Sequence, residues 1–305
     1  MNDSPALDFL PRNLLGLATE RWNSRHDSIT PSPAINEDAG NTAMSRRSGP
    51  KQRQTTSRSV QREILEDFRV VDTTRGLRLI QSGDVLSEMR NEPAPTHDLF
   101  DVLAALMACL SPGPRLLMLG FAGGGVVAPL RAMGCTDPIE AVDLSRKGEV
   151  LFRKISARWA GEVRVHQADA MRWLRTRSRH FDCILEDLSI PSPEGSLKPD
   201  FSLDPLPQTI AKRLKPRGVA IFNILPFPHL PWKTVLETLC LPFRQALLIR
   251  SAECENRVLV CGRHLPTARL LSTEVRRALR SIASNQTKDL SVRRAKASGR
   301  RASTS

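Results

Sequence analysis

Between Leu116 and Gly262 the chain alternates short, wholly apolar runs with segments of helical spacing, and the first such run ends on a turn made largely of glycine. Leu116-Leu117-Met118-Leu119 is apolar at every position. A strand covered on both faces must be so, because successive side chains point to opposite faces of a sheet. Gly120-Phe121-Ala122-Gly123-Gly124-Gly125 follows at once, and a helix is expected from there to Met133. Further strands are expected over 139–142, 163–166, 183–185, 219–224, 246–249 and 258–261, with helices over 150–159, 171–174, 206–214 and 232–239 between them. The last two strands, joined by a polar stretch over 251–256, are expected to form an antiparallel hairpin at one sheet edge. Repeated strand-helix-strand order requires crossover connections. It therefore predicts an α/β fold with a doubly wound, mostly parallel sheet.

Ahead of this region, Phe68-Arg69-Val70-Val71-Asp72 and Leu77-Arg78-Leu79-Ile80-Gln81 flank the turn Thr73-Thr74-Arg75-Gly76 and read as an antiparallel pair. Ser82-Gly83-Asp84 turns the chain again. Leu99, Phe100, Leu103, Leu106, Met107 and Leu110 recur at helical spacing, and Pro112-Gly113-Pro114 ends that helix. One more helix is expected over 273–282. The resulting division is a disordered basic tail over 1–59, a small antiparallel β unit over 60–95, a nucleotide-binding domain over 96–284 and a second disordered basic tail over 285–305. Met44 would serve as an alternative start.

Composition matters chiefly for partners and compartment. The net charge is +13, with much of the excess in the tails: Arg46, Arg47, Lys51, Arg53 and Arg58 at one end, then Arg276 through Arg301 at the other. Such tails hold nucleic acid or anionic lipid by charge alone, or are simply solvated, and no run of stacking aromatics accompanies them. The 6 cysteines include no C-x-x-C pair, which suits a reducing compartment. The N-terminus opens Asn2-Asp3-Ser4, unlike a secretory leader, and no uncharged stretch is long enough to span a bilayer. A cytoplasmic protein with no membrane partner is the expectation. The histidines form no metal spacing, so no metal is assigned.

The residues placed for chemistry lie at the strand ends. A turn such as Gly120 to Gly125 serves where φ must be positive or where a ligand approaches the backbone, although a tight structural turn needs glycine too. Asp143, at the tip of the second strand, can accept both hydroxyl hydrogens of a ribose, and an acid there equally opens a helix. Asp169, before Ala170, can accept from an adenine amine or cap the helix that follows. Asp187 ends the fourth strand of the run. Either it or Glu186 faces a ligand there, since neighbouring strand residues point opposite ways.

Taken together these residues resemble the spermidine synthase-like branch of the class I S-adenosylmethionine-dependent methyltransferase superfamily. The resemblance rests on the small β unit, the glycine turn, Asp143, the Asp169-Ala170 pair and the Phe181-Asp182-x-Ile184-Leu185-x-Asp187 run, in the family's order. Thr96-His97-Asp98-Leu99 is also similar to the family's Tyr-His-Glu-Met segment. It implies a seven-stranded methyltransferase-type sheet and a cofactor, S-adenosylmethionine or its decarboxylated form, held by Gly120, Ala122, Gly123, Gly124, Asp143, Leu144, Asp169 and Ala170. It further implies Asp187 as the catalytic acid-base group, His97 and Glu186 on the side of a small-molecule acceptor, and a homodimer built through the β unit.

Several departures bear on activity. The chain has no Tyr at all, and Thr96 stands where the family has one. Ile190 replaces the second acid of the family's Asp-x-x-Asp-Pro run, Gly123 replaces an acid in the glycine turn, and Leu86 or a near neighbour takes the place of a Gln. Burying a diammonium substrate beside Ile190 would be costly. The expected activity is therefore methylation of an unidentified acceptor. The alternatives are aminopropyl transfer to a polyamine in an altered pocket, in which Asp98, Glu186 or Glu194 supply carboxylates, and a non-catalytic nucleoside or nucleic-acid binder. The loop over 188–201 is long enough to act as a lid.

Overall fold

The computed structural model describes residues 68–192, 195–252, 254–288 and 290–295. The basic tail expected over 1–59, the end of the second tail from 296, and Glu194 lie outside the described residues.

The described chain begins with a three-stranded antiparallel meander, β1 (Arg69–Thr73), β2 (Gly76–Gln81) and β3 (Asp84–Arg90). The third strand goes beyond the expected pair. Its second half, Ser87 to Arg90, is buried throughout, so it lacks the alternation by which a half-buried strand is read. Glu88 is tolerated there because Arg78 and Arg90 bridge it at 2.8 and 3.1 Å. α1 (Leu99–Leu110) follows, with the Asp98 carboxylate accepting from the Leu99 amide at 2.6 Å as its N-cap.

The main sheet is then laid down by alternation: β4 (Leu116–Leu119), α2 (Val127–Ala132), β5 (Ile139–Asp143), α3 (Lys147–Ser156), β6 (Val163–Gln167), α4 (Ala170–Thr176) and β7 (Phe181–Glu186). A small hairpin, β8 (Ile190–Ser192) and β9 (Gly195–Leu197), interrupts the pattern. α5 (Leu206–Arg213), β10 (Leu214–Ile224), α6 (Trp232–Cys240), β11 (Gln245–Arg250), β12 (Arg257–Gly262), α7 (Ala268–Ser281) and β13 (Ser291–Arg294) complete it. The strand order is β13-β11-β12-β10-β7-β4-β5-β6. β6, β5, β4, β7 and β10 are mutually parallel, while β12 runs antiparallel to both β10 and β11. The chain winds outward from β4 to β6, then returns to place β7 on the other side of β4. That reversal opens a crevice at the strand ends.

Each sheet face carries its own core. Leu116, Met118, Leu185 and Ile221 meet α1, α2 and α7 through Leu103, Leu106, Leu130, Val275 and Leu279. Leu117, Leu119, Ile184 and Phe222 meet α4, α5 and α6 through Leu174, Ile210 and Val235. Full burial of such a side chain stabilises the fold by roughly 1.5–3 kcal/mol, and this two-sided burial is what made the strand runs wholly apolar.

Two expectations about the C-terminal part need correction. The sheet has eight strands rather than seven, and the residues after 284, expected to be unstructured, include the 3-10 turn Asn285–Thr287 and β13. Val292 packs on one face of the sheet and Ala295 on the other, Leu290 is buried, and Arg276 donates to the Leu290 carbonyl. An edge strand needs few apolar residues, so Ser291-Val292-Arg293-Arg294 gave no apolar run to read. β11 is consequently an interior strand. Buried Asp101 ties the start of α1 to this region, accepting from the Thr96 amide and hydroxyl, the His97 amide and the Ser284 hydroxyl.

Candidate functional site

A cavity of about 390 Å³ opens at the crevice between β4 and β7. Its walls come from the glycine turn, the ends of β5, β6, β7 and β10, the β8–β9 hairpin and the N-terminal meander. Gly120 lies at φ +88, and a Cβ there would stand 2.4 Å from the Asp187 carbonyl oxygen, so the turn after β4 can lie against the end of β7 only as glycine. Beyond it the turn packs on β3 and the core: a Cβ at Gly123 or Gly125 would crowd the Ser87 hydroxyl at 3.0 Å, and one at Gly124 would meet the Phe121 ring at 2.6 Å. Gly123 and Gly124, expected against the cofactor, are therefore off the cavity wall, to which the turn contributes Gly120, Phe121 and Ala122.

Asp143 Oδ2 accepts from the amides of Phe121 and Ala122, each at 2.8 Å, while Oδ1 accepts from the Ser145 amide at 2.8 Å. The carboxylate therefore clasps the glycine turn from the neighbouring strand. Each carboxylate oxygen can accept about two hydrogen bonds, which leaves Oδ1 one free direction. Leu144, half exposed, stands beside it on the wall. Asp169 caps α4, accepting from the Arg172 amide at 2.7 Å, and lines the cavity together with Ala170. Its capping role and its place on the wall coexist.

Asp187 lies on the wall at the end of β7, with its amide bonded to the Leu119 carbonyl at 2.8 Å. Burial pushes its carboxyl up to about 6, against the opposing pull of Lys198 and of a hydrogen bond from Asn223. That bond runs from Asn223 Nδ2 to Asp187 Oδ1 at 2.7 Å, and Asn223 Oδ1 in turn accepts from Asn256 Nδ2 at 2.9 Å. Neither asparagine was singled out in the sequence. The available signal was Asn223 itself, a lone polar residue inside the apolar run Val219-Ala220-Ile221-Phe222-Asn223-Ile224.

Two residues expected on the acceptor side lie elsewhere. Glu186 points to the opposite side of β7, where Lys198 Nζ meets both its oxygens at 2.9 and 2.8 Å and the Ser202 hydroxyl donates to it at 2.9 Å. A buried carboxylate needs such partners, and the pair is off the cavity wall. His97 is likewise absent from the wall. It sits at φ 64 in the tight entry to α1, with Nε2 at 3.2 Å from Arg75 and its carbonyl accepting from Gln286. The neighbouring Asp98 and Phe100 line the cavity instead. The β8–β9 hairpin brings Ile190 and Ser196 to the wall, and its Ser196 amide donates to Asp84 at the tip of the meander. The segment expected as a lid is thus tied to the start of β3.

Every charged side chain on the described wall is an aspartate: Asp84, Asp98, Asp143, Asp169 and Asp187. In a chain of net charge +13 this is a local reversal of sign, and it favours a cationic ligand. Among the described residues no group of His, Cys, Asp and Glu is disposed to hold a metal ion, and no helix is long and apolar enough to cross a membrane.

Fold and site together define a doubly wound α/β protein whose acidic ligand cavity lies at the point where the strand order reverses. No protein-family model matches the chain, and no curated protein matches its sequence. Solved structures similar to it include human methyltransferase-like protein 13 in complex with SAH, at 24% identity and a TM-score of 0.47, covering 60% of this chain and 90% of that one. A spermidine synthase in complex with the transition-state analogue AdoDATO is similar at 13% identity and a TM-score of 0.49, covering 66% of this chain and 72% of that one. Spermidine synthase from Thermotoga maritima is similar at 14% identity and a TM-score of 0.48, covering 66% and 71%.

Proposed function

We propose that the chain is an S-adenosylmethionine-dependent transferase that methylates a small-molecule acceptor bound beside Asp187. The observation that carries this reading is the cavity wall, whose charged groups are all carboxylates, with Asp143, Asp169 and Asp187 at the ends of β5, β6 and β7 beside the glycine turn and Asp84 and Asp98 facing the same cavity from the meander and the start of α1. A sulfonium cation fits such a wall without a counter-charge of its own, and about 390 Å³ falls within the usual range for small-molecule sites. The free direction on Asp143 Oδ1 suits a ribose hydroxyl, Leu144 and Ala170 suit the faces of an adenine, and the turn from Gly120 to Ala122 suits the amino-acid portion. The bound cofactor would supply the methyl group.

The chain's own part in the reaction is orientation and proton acceptance. In this reading Asp187, held by Asn223, accepts a proton at its carboxylate from the nucleophile of the acceptor. A base whose pKa approaches the working pH is effective because it is mostly ionised and still basic enough to take the proton. Alignment of the two reacting groups within the cavity lowers the barrier further, since methyl transfer needs the nucleophile in line with the methyl group.

A second reading, aminopropyl transfer from the decarboxylated cofactor, is favoured by one feature of the same wall. No Lys, Arg or His on it is available to balance the carboxylate that only S-adenosylmethionine carries. Calorimetry with both cofactor forms tests the two readings. Tighter binding of the carboxylated form supports methyl transfer, and tighter binding of the decarboxylated form supports aminopropyl transfer. No heat with either ligand, from protein shown to be folded, overturns both.

A further inference from the structure

A second charged surface lies outside the cavity, and its chemistry is the opposite of the cavity's. Arg250 ends β11 and Arg257 begins β12, and the register places them directly across from each other. Arg293 of β13 sits opposite Leu248, two residues from Arg250 along β11. Because side chains two apart on a strand share a face, Arg250, Arg257 and Arg293 all project from the face to which Leu248 and Leu259 contribute. Like charges directly opposed across strands destabilise a sheet. Several arginines packed against the fold have partners: Arg78 and Arg90 meet Glu88, Arg153 meets Glu149, and Arg131 meets the carbonyls of Ala160, Cys135 and Asp137. Among the described residues no carboxylate bridges any of these three.

Arg257 is also held in place. Its guanidinium carbon lies 3.9 Å from the ring centroid of Trp232, at the start of α6. Stacking covers one face of the guanidinium and leaves its edge, which carries the N–H donors, free to fork onto an oxyanion. Burial, together with the charges of Arg250 and Arg293, pushes Arg257 below the ordinary arginine value. An anion is the partner that would relieve this crowding.

We propose that Arg250, Arg257 and Arg293, braced by Trp232, form a docking site for the phosphate backbone of a nucleic-acid strand on the rim beside the cavity. The three guanidiniums stand on adjacent strands, so the row spans roughly 10 Å at the usual inter-strand spacing. One phosphate group is too small to meet all three. A nucleic-acid strand, with one phosphate for about every 3.4 Å of duplex axis, supplies charges along the whole row. The sequence beyond β13 continues the positive charge with Lys296, Arg300 and Arg301 and contains no acid. The site adjoins the cavity through one segment: Cys254 and Asn256 are on the cavity wall, and Arg257 follows directly. This inference goes beyond the cofactor reading and does not depend on it.

The test is fluorescence anisotropy of the full chain with a labelled single strand of about 20 nucleotides, titrated from about 50 to 200 mM salt. The variant Arg250→Gln/Arg257→Gln/Arg293→Gln is compared with Arg158→Gln/Arg172→Gln/Arg175→Gln, which removes the same charge from exposed positions elsewhere. Loss of three phosphate contacts is expected to flatten the slope of log K against log salt by about 2 in the first variant. The control is expected to show less than half that change. Equal losses in both variants would mean that net charge alone holds the strand, and the proposal fails. It also fails if a nucleoside monophosphate binds the arginines as tightly as the strand does, since the occupant is then a small phosphate. The first variant is expected to melt no lower than the wild type, because the repulsion is relieved; should it fail to fold, Arg250→Gln alone serves, with about a third of the slope change. S-adenosylmethionine calorimetry on the same proteins reads the cavity separately, so either proposal can fail without the other.

Discussion

Asn223 donates its side-chain N–H to Asp187 at 2.7 Å and is itself held by Asn256 at 2.9 Å, so the carboxylate proposed to accept a proton is oriented by a residue from the neighbouring strand. The bond favours the ionised carboxylate and opposes the burial that pushes it up to about 6. Asn223→Leu keeps the volume and removes the donor. A hydrogen bond to a charged group contributes about 1.5–3 kcal/mol, equivalent to roughly one to two pKa units. The pH at half-maximal kcat/KM is therefore expected to move upward by that amount, because protonated Asp187 cannot accept a proton. Asn256→Ala, which loosens Asn223 without removing it, is expected to give a smaller shift in the same direction. A pH profile of each variant reads the effect, and an unmoved midpoint in Asn223→Leu would show that Asp187 is not the titrating group.

The same carboxylate makes stability depend on pH. Its folded value of about 6 lies above the ordinary 3.8, so the folded state holds a proton that the unfolded chain has already released. Stability from this group is therefore present at low pH and is lost as pH rises from about 4 through about 6. The two-unit difference corresponds to about 3 kcal/mol. Asp187→Asn is expected to be more stable than the wild type at about pH 8 by up to that amount, with the gain vanishing near pH 4. Urea unfolding at the two pH values measures it. The variant should lose transferase activity at every pH.

On the other side of β7, Glu186 and Lys198 are both nearly inaccessible, and each satisfies the other. Lys198→Met strands a buried carboxylate and is expected to cost about 3–5 kcal/mol. Glu186→Leu/Lys198→Met removes both charges and is expected to recover most of that loss. Because neither side chain lies on the cavity wall, the double variant should bind cofactor as the wild type does. Loss of binding in a stable double variant would return Glu186 to the site.

These residues show what the sequence could disclose. β4, β7, β10, β11 and β12 were legible because their central residues are buried on two faces and so apolar. β6 at the sheet edge showed only Val163 and Val165 to read, and the β8–β9 hairpin lies within what reads as a loop over 188–201. β13 was not legible, since its edge position demands little of Ser291-Val292-Arg293-Arg294. Alternation dictated that Glu186 and Asp187 point opposite ways but could not say which faces the cavity. That choice depends on Lys198, 12 residues further along the chain, whose partner no local pattern announces. The carboxylates of Asp143 and Asp169 were found by their positions at strand ends. The amide that Asp169 receives follows from its capping position, whereas the Phe121 and Ala122 amides that Asp143 receives have no sequence signature.

The Asp143 clasp leads to the last prediction. A side chain acting only on ribose would leave the ligand-free protein unchanged when removed. Here Asp143 also receives three backbone amides, at Phe121, Ala122 and Ser145, and those donors form the wall of the site. Asp143→Ala is therefore expected to destabilise the ligand-free protein by about 2–3 kcal/mol, less than three full charged hydrogen bonds because water can reach part of the opened turn. Asp143→Asn keeps an acceptor for some of the amides and should fall between the two. Unfolding without ligand separates the roles. Full stability in Asp143→Ala together with lost binding would assign the carboxylate to the ligand alone, whereas parallel losses would show that the carboxylate builds the turn on which a ligand depends.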